Sequence, residues 1–151
     1  MKMLLGLVLL LVTSMVGCSS LAPDETPETP RALLTVEWRG GLCQYGGCTT
    51  TLEVSSDGAY RLVEGDGRET SGSLAADLVG PLSEAIEAAD FDAARAHEFT
   101  EICPTAYDGQ EVIYTFHARA GDERLSTCEY VIEWDIAPFP EALAVLEAAG
   151  R

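Results

Sequence analysis

Nucleophilic catalysis needs a Ser, Thr or Cys beside a base that can take its proton. The 151-residue chain offers two histidines for that role, His97 and His117. His117 falls in an alternating apolar run and reads as a surface or half-buried sheet residue. His97 falls in a polar stretch and reads as a loop residue. No G-x-S-x-G, P-loop, H-E-x-x-H or EF-hand pattern occurs. Acidic residues are scattered, so no glycosidase pair stands out. Asp66, Asp108 and Glu111 carry calcium-ligand chemistry without forming a ligand ladder. The expectation is a non-enzyme with no cofactor and no metal.

The cysteines say more. Cys43, Cys48, Cys103 and Cys128 make an even set downstream of Cys18, which suggests disulfides if the chain is exported. Four cysteines allow three pairings. The pairs Cys43–Cys48 and Cys103–Cys128 are favoured, because each flanks a local turn or hairpin. Cys43 and Cys48 enclose Gln44-Tyr45-Gly46-Gly47, whose glycines permit the bend. Zinc is the alternative, but a C-x₄-C pair with two lone cysteines is not the spacing of a zinc ribbon. The centre of the chain is Cys103-Pro104-Thr105-Ala106-Tyr107-Asp108-Gly109-Gln110-Glu111. One cysteine fixes this loop, Pro104 stiffens it, and Asp108-Gly109 turns it into a strand. Such a loop either meets a partner or serves as a fixed corner.

The elements that must position it follow from periodicity. Ala32 to Arg39 is β-prone and ends at Gly40-Gly41. Thr49 to Ser55 alternates, Asp57-Gly58 signals a hairpin, and Tyr60 to Val63 returns. Gly65-Asp66-Gly67 is a second turn, with Arg68 to Ser71 as a short edge strand. Leu74, Leu78, Leu82 and Ile86 recur every four residues and mark a helix. Gly80-Pro81 either kinks that helix or restarts it. Phe91 packs under its end, and Asp92 to Glu101 is a loop. Val112 to His117 alternates, Ala120-Gly121-Asp122 turns, and Leu125 to Ile136 returns with Tyr130, Ile132 and Trp134 on one face. Pro138 and Pro140 open a last helix with Phe139, Leu143 and Leu146 as its apolar face, ended by Gly150. The order βββα-ββα predicts an α+β fold, an antiparallel sheet of about five strands with two helices on one face and two disulfides.

The N-terminal segment is an address. Lys2 precedes an apolar run from Met3 to Val16, short for a bilayer span but suited to a signal-peptide core. Met15-Val16-Gly17-Cys18 resembles the bacterial lipobox, which implies cleavage after residue 17 and lipidation of Cys18. Two or three acyl chains make a stable anchor. Residues 18–31, with Pro23, Pro27 and Pro30 among polar neighbours, read as a lipidated cysteine and disordered tether. Residues 32–151 then form a single domain. The chain has 9 Lys+Arg against 25 Asp+Glu, a net charge of −16. Removing Lys2 with the leader leaves 8 against 25, or −17. That charge argues against nucleic acid and against docking on anionic lipid, and is compatible with a basic partner.

Two resemblances concern the domain. Cys103-Pro104-Thr105-Ala106-Tyr107-Asp108, with Cys128-Glu129 downstream and Leu33-Leu34-Thr35-Val36 at the start, resembles the Streptomyces subtilisin inhibitor family. That resemblance implies a disulfide-tied loop presented to a serine protease, with Thr105 as specificity residue and Thr105–Ala106 as reactive bond. More broadly, the segment from Gly40 to Cys48, the Asp57-Gly58 hairpin and the Cys103 loop resemble a class of uncharacterised bacterial lipoproteins. The expectation is an exported lipoprotein, anchored through Cys18 to the cell membrane or outer membrane, with a non-catalytic binding or structural role at the envelope. The alternative is a serine protease inhibitor. Pro104, Thr105, Ala106 and Tyr107 are the candidate partner-binding residues.

Overall fold

The computed structural model describes residues 29–41 and 48–151. Cys18 and the leader lie outside the described residues, as does Cys43. No helix among the described residues is long and apolar enough to cross a membrane.

Strand β1 (Ala32–Gly40) is the middle of the sheet. It pairs antiparallel with β2 (Thr49–Ser55) on one side and β5 (Gln110–Ala118) on the other. Strands β3 (Ala59–Val63) and β4 (Glu69–Ser73) extend one flank, and β6 (Gly121–Ser126) closes the other. The sheet has six strands in the order β4-β3-β2-β1-β5-β6. Tight turns join β2 to β3, β3 to β4 and β5 to β6. Asp57-Gly58 makes the β2–β3 hairpin, with Gly58 at φ +85° and Ala59 N–H donating to Asp57 Oδ1 at 3.1 Å.

Alternation divides the sheet into two faces. Leu34, Val36, Leu52, Val54, Leu62, Tyr114, Phe116 and Leu125 point into one core cluster. Helix α1 (Ala76–Ala88) adds Val79, Leu82 and Ile86 to that cluster. Helix α3 (Phe139–Ala148) adds Phe139, Ala142, Val145 and Leu146. Phe139 stands edge-on to Tyr114 and to Phe116, with ring centroids 5.5 Å apart in each pair. Leu33, inside the register irregularity between Ala32 and Leu34, is also buried. The opposite face buries Ile113 but is otherwise mainly polar and laced by surface ion pairs such as Arg39–Glu37 and Arg61–Glu69.

The α+β class and the antiparallel sheet are as expected; several details differ. The sheet has six strands rather than about five, because Glu69–Ser73 pairs along all of β3. Three α-helices lie among the described residues, the extra one being the single turn α2 (Phe91–Ala94) that Asp90 caps through its side chain. Helix α1 runs unbroken through Gly80-Pro81. Pro81 lies inside the helix, where its missing N–H forfeits the bond to Asp77 O. Strand β6 stops at Ser126 instead of reaching Ile136. After Thr127 N–H bonds Val112 O at 3.0 Å the chain turns away from β5, with Glu129 and Tyr130 N–H donating to Ser126 O at 3.0 and 2.9 Å. Ile132 still enters the core, but Trp134 is left partly exposed. On α3, Leu143 is 41% exposed and Ala142 and Val145 take its expected place. Of the two expected disulfides, the described residues contain Cys103–Cys128, with Cα atoms 5.0 Å apart. The Cys43–Cys48 pairing falls on a segment whose Cys43 end is outside the described residues.

Candidate functional site

The Cys103 loop is a closed turn. Pro104–Tyr107 forms one turn of 3₁₀ helix, with proline at its first position where no N–H is needed. Ala106 N–H donates to Cys103 O at 2.9 Å, and Gly109 N–H to Pro104 O at 2.8 Å. Asp108 ends the turn in the left-handed region, at φ 58°, a conformation Asp tolerates better than most residues. Gly109 is required beside it, because a Cβ there would lie 2.6 Å from Pro104 Cβ and 2.8 Å from its carbonyl oxygen.

Two anchors hold the turn to the sheet. The first is the end of β1. Gly41 N–H donates to Gly109 O at 2.8 Å, and a Cβ on Gly40 would meet Gly109 O at 2.6 Å and Thr105 Cγ2 at 2.9 Å. The second is the disulfide. Cys128 N–H donates to the buried Ser126 Oγ at 3.0 Å, and that hydroxyl donates to Glu111 Oε1 at 2.5 Å. Val112 N–H donates to Thr127 Oγ1 at 2.9 Å. The half-cystine is thus fixed to β5 before it meets the turn.

Pro104, Thr105, Ala106 and Tyr107 are all exposed, Tyr107 by 73%. The Thr105 methyl leans on Gly40, and its hydroxyl sits 3.1 Å from Cys103 Sγ. A substrate-like inhibitor loop adds to the protease as an extended strand. Residues 104–107 are instead curled, with the N–H of Ala106 engaged.

The histidines separate. His97 is exposed, its Nε2 3.5 Å from Glu133 Oε1. His117 lies on the polar face of β5, Nδ1 2.8 Å from Asp122 Oδ1 and Nε2 3.0 Å from Thr35 Oγ1. This hydroxyl–imidazole–carboxylate chain was not read from the sequence, because Thr35 and His117 are 82 residues apart and meet only through the β1–β5 register. Acyl transfer would further need donors aimed at an oxyanion, and Thr35 sits in a strand laddered on both sides. Asp66 is occupied by Arg68, whose guanidinium holds its carboxyl below the usual range. Glu111 takes the Ser126 hydroxyl, so the three calcium candidates do not converge. Among the described residues no group of three His, Cys, Asp or Glu side chains is placed to hold a metal. At the other end of the sheet, Thr29, Arg31, Ser56, Ser83 and Arg119 line an open hollow of about 510 Å³.

No family model, curated protein or solved structure matches the chain.

Proposed function

We propose that the chain is an exported lipoprotein, anchored through a lipidated Cys18, whose domain has a non-catalytic binding role at the cell envelope exercised through the Pro104–Tyr107 turn. One observation carries the reading. Strand β1 begins beside the tether and ends against the turn. Its nine residues at roughly 3.3 Å each cover about 30 Å, so the anchored end and the turn are at opposite ends of the sheet. A turn held by a disulfide, a proline and a strand end loses little entropy when a partner binds. A Cys43–Cys48 disulfide would add a second staple in the sequence between β1 and β2. The lipobox-like Met15-Val16-Gly17-Cys18 and the proline-rich tether support the anchor.

The test is a photo-crosslinking side chain placed at Tyr107 or, as control, at Arg119 at the opposite end, in cells that make the full-length protein. An adduct from Tyr107 and not from Arg119 is expected. Equal yields, or no adduct from either, would discard the reading.

The exposure of Thr105, Ala106 and Tyr107 favours a second reading, inhibition of a serine protease with Thr105–Ala106 as the reactive bond. It requires the 3₁₀ turn to open. Titration of subtilisin and trypsin decides it: full protease rates at saturating protein remove the idea for those enzymes.

A further inference from the structure

The two segments joined by the disulfide are joined a second time. Glu98 faces Tyr130 in an antiparallel bridge, flanked by Phe99 N–H to Glu129 O at 2.9 Å and Val131 N–H to His97 O at 2.8 Å. The stretches 97–108 and 127–138 are therefore joined at two places, residues 97–99 to 129–131 and Cys103 to Cys128. Their composition is lopsided in two independent ways. Six large hydrophobic side chains are exposed among the described residues, and five of them lie here: Ile102, Tyr107, Val131, Trp134 and Ile136. The same segments hold six carboxylates, Glu98, Glu101, Asp108, Glu129, Glu133 and Asp135, and no Lys or Arg.

Exposed apolar side chains gathered in one region mark an interaction surface more often than scattered ones do. The charges say what kind. Glu129 pairs with Arg124 at 3.0 Å, and Glu133 faces His97. Glu98, Glu101, Asp108 and Asp135 make no ion pair among the described residues. Val131 lies opposite His97 and between Glu129 and Glu133 in sequence, so apolar and acidic groups alternate along the ribbon. Anionic lipid and nucleic acid are repelled by such a surface, and a cation is drawn to it.

The geometry points to this face as the docking site for a basic polypeptide segment. Large apolar side chains of that segment rest on Ile102, Tyr107 and Val131, and its Lys or Arg side chains meet the carboxylates around them. This rests on the binding role proposed above and names the partner's chemistry.

The experiment selects a random 12-residue phage-displayed peptide library on the full-length protein in detergent micelles. The comparison protein carries Tyr107→Ser and Val131→Ser, two exposed positions whose change spares the core; circular dichroism checks its fold. Peptides with Lys or Arg beside Leu, Phe or Trp should be enriched on the wild type. Their binding should fall at least about tenfold on the double variant and weaken as salt is raised. Enrichment of acidic or uncharged peptides, binding indifferent to the double variant, or no enrichment overturns the proposal. A negative selection with a persistent Tyr107 crosslink would retire the basic-segment chemistry alone. Loss of both would retire the binding role too.

Discussion

Gly40 and Gly67 have nearly the same backbone conformation, φ +85° and +83°, but different surroundings. Nothing lies within 4 Å of a Cβ placed on Gly67, whereas one on Gly40 strikes the Gly109 carbonyl oxygen at 2.6 Å. The pair separates backbone strain from steric displacement of the Cys103 turn. In either position alanine costs about 1–2 kcal/mol for the left-handed conformation, offset by about 0.4–1 kcal/mol from a stiffer unfolded chain. Gly67→Ala should therefore destabilise by about 1 kcal/mol. Gly40→Ala has a further consequence. The Thr105 methyl can rotate aside, but the Gly109 carbonyl is held by Gly41 N–H at 2.8 Å. The turn must shift as a body, at an added cost of about 1–3 kcal/mol typical of overpacking, giving about 3 kcal/mol in all. Urea unfolding of the two variants measures the difference, and amide shifts at Thr105, Ala106 and Tyr107 report where it acts. Midpoints indicating equal destabilisation, to within about 0.5 kcal/mol, would refute the claim that β1 braces the turn. So would unchanged amide shifts in Gly40→Ala.

Two further outcomes follow from the covalent and buried groups. Cys103→Ser with Cys128→Ser opens a loop of sequence separation 25, so loop-closure entropy gives a loss of about 3.5 kcal/mol; the change in unfolding free energy between oxidising and reducing conditions should be larger by about that amount in the wild type than in the variant. Burial pushes the Tyr114 hydroxyl up to about 12 from an ordinary 10. Between those values the unfolded chain binds fewer protons than the folded one, so this contribution is complete below pH 10 and is lost as pH rises toward 12. The slope reaches at most about 1.4 kcal/mol per pH unit. Urea midpoints from pH 9 upward should fall more steeply in the wild type than in Tyr114→Phe, and parallel curves would contradict the assignment.

What the sequence made legible was local. The Asp57-Gly58 hairpin, the alternation from Val112 to His117 and the four-residue recurrence from Leu74 to Ile86 each declare an element without help from the rest of the chain. The features it hid depend on partners distant in sequence. Strand β6 ends in a turn closed on the Ser126 carbonyl, and nothing between Thr127 and Ile136 announces that. Leu143 and Val145 are equally apolar, and only the position of α3 against α1 and the sheet decides which is buried. The Pro104–Tyr107 segment was singled out from its residues. Its curl could not be, because the lean of Thr105 on Gly40 and the bond from Gly41 to Gly109 join two stretches more than 60 residues apart.

The same non-local contacts give the domain two unlike ends. At the start of β1, Arg31 donates to His117 O at 2.6 Å and to Glu87 at 2.9 Å, and Arg119 N–H reaches the same carboxylate. Cations are matched there by a helix carboxylate, in the hollow next to the chain's entry to the domain. At the far end of β1 the turn, the disulfide and the Glu98–Tyr130 bridge gather carboxylates and apolar side chains with no Lys or Arg on either segment. A uniform acidic coat would serve solubility alone and would leave large apolar groups scattered. Here the unbalanced charge and the exposed apolar side chains coincide on the two segments that the fold secures most heavily. Rigidity, apolar exposure and one sign of charge in one place are the conditions under which a surface binds selectively.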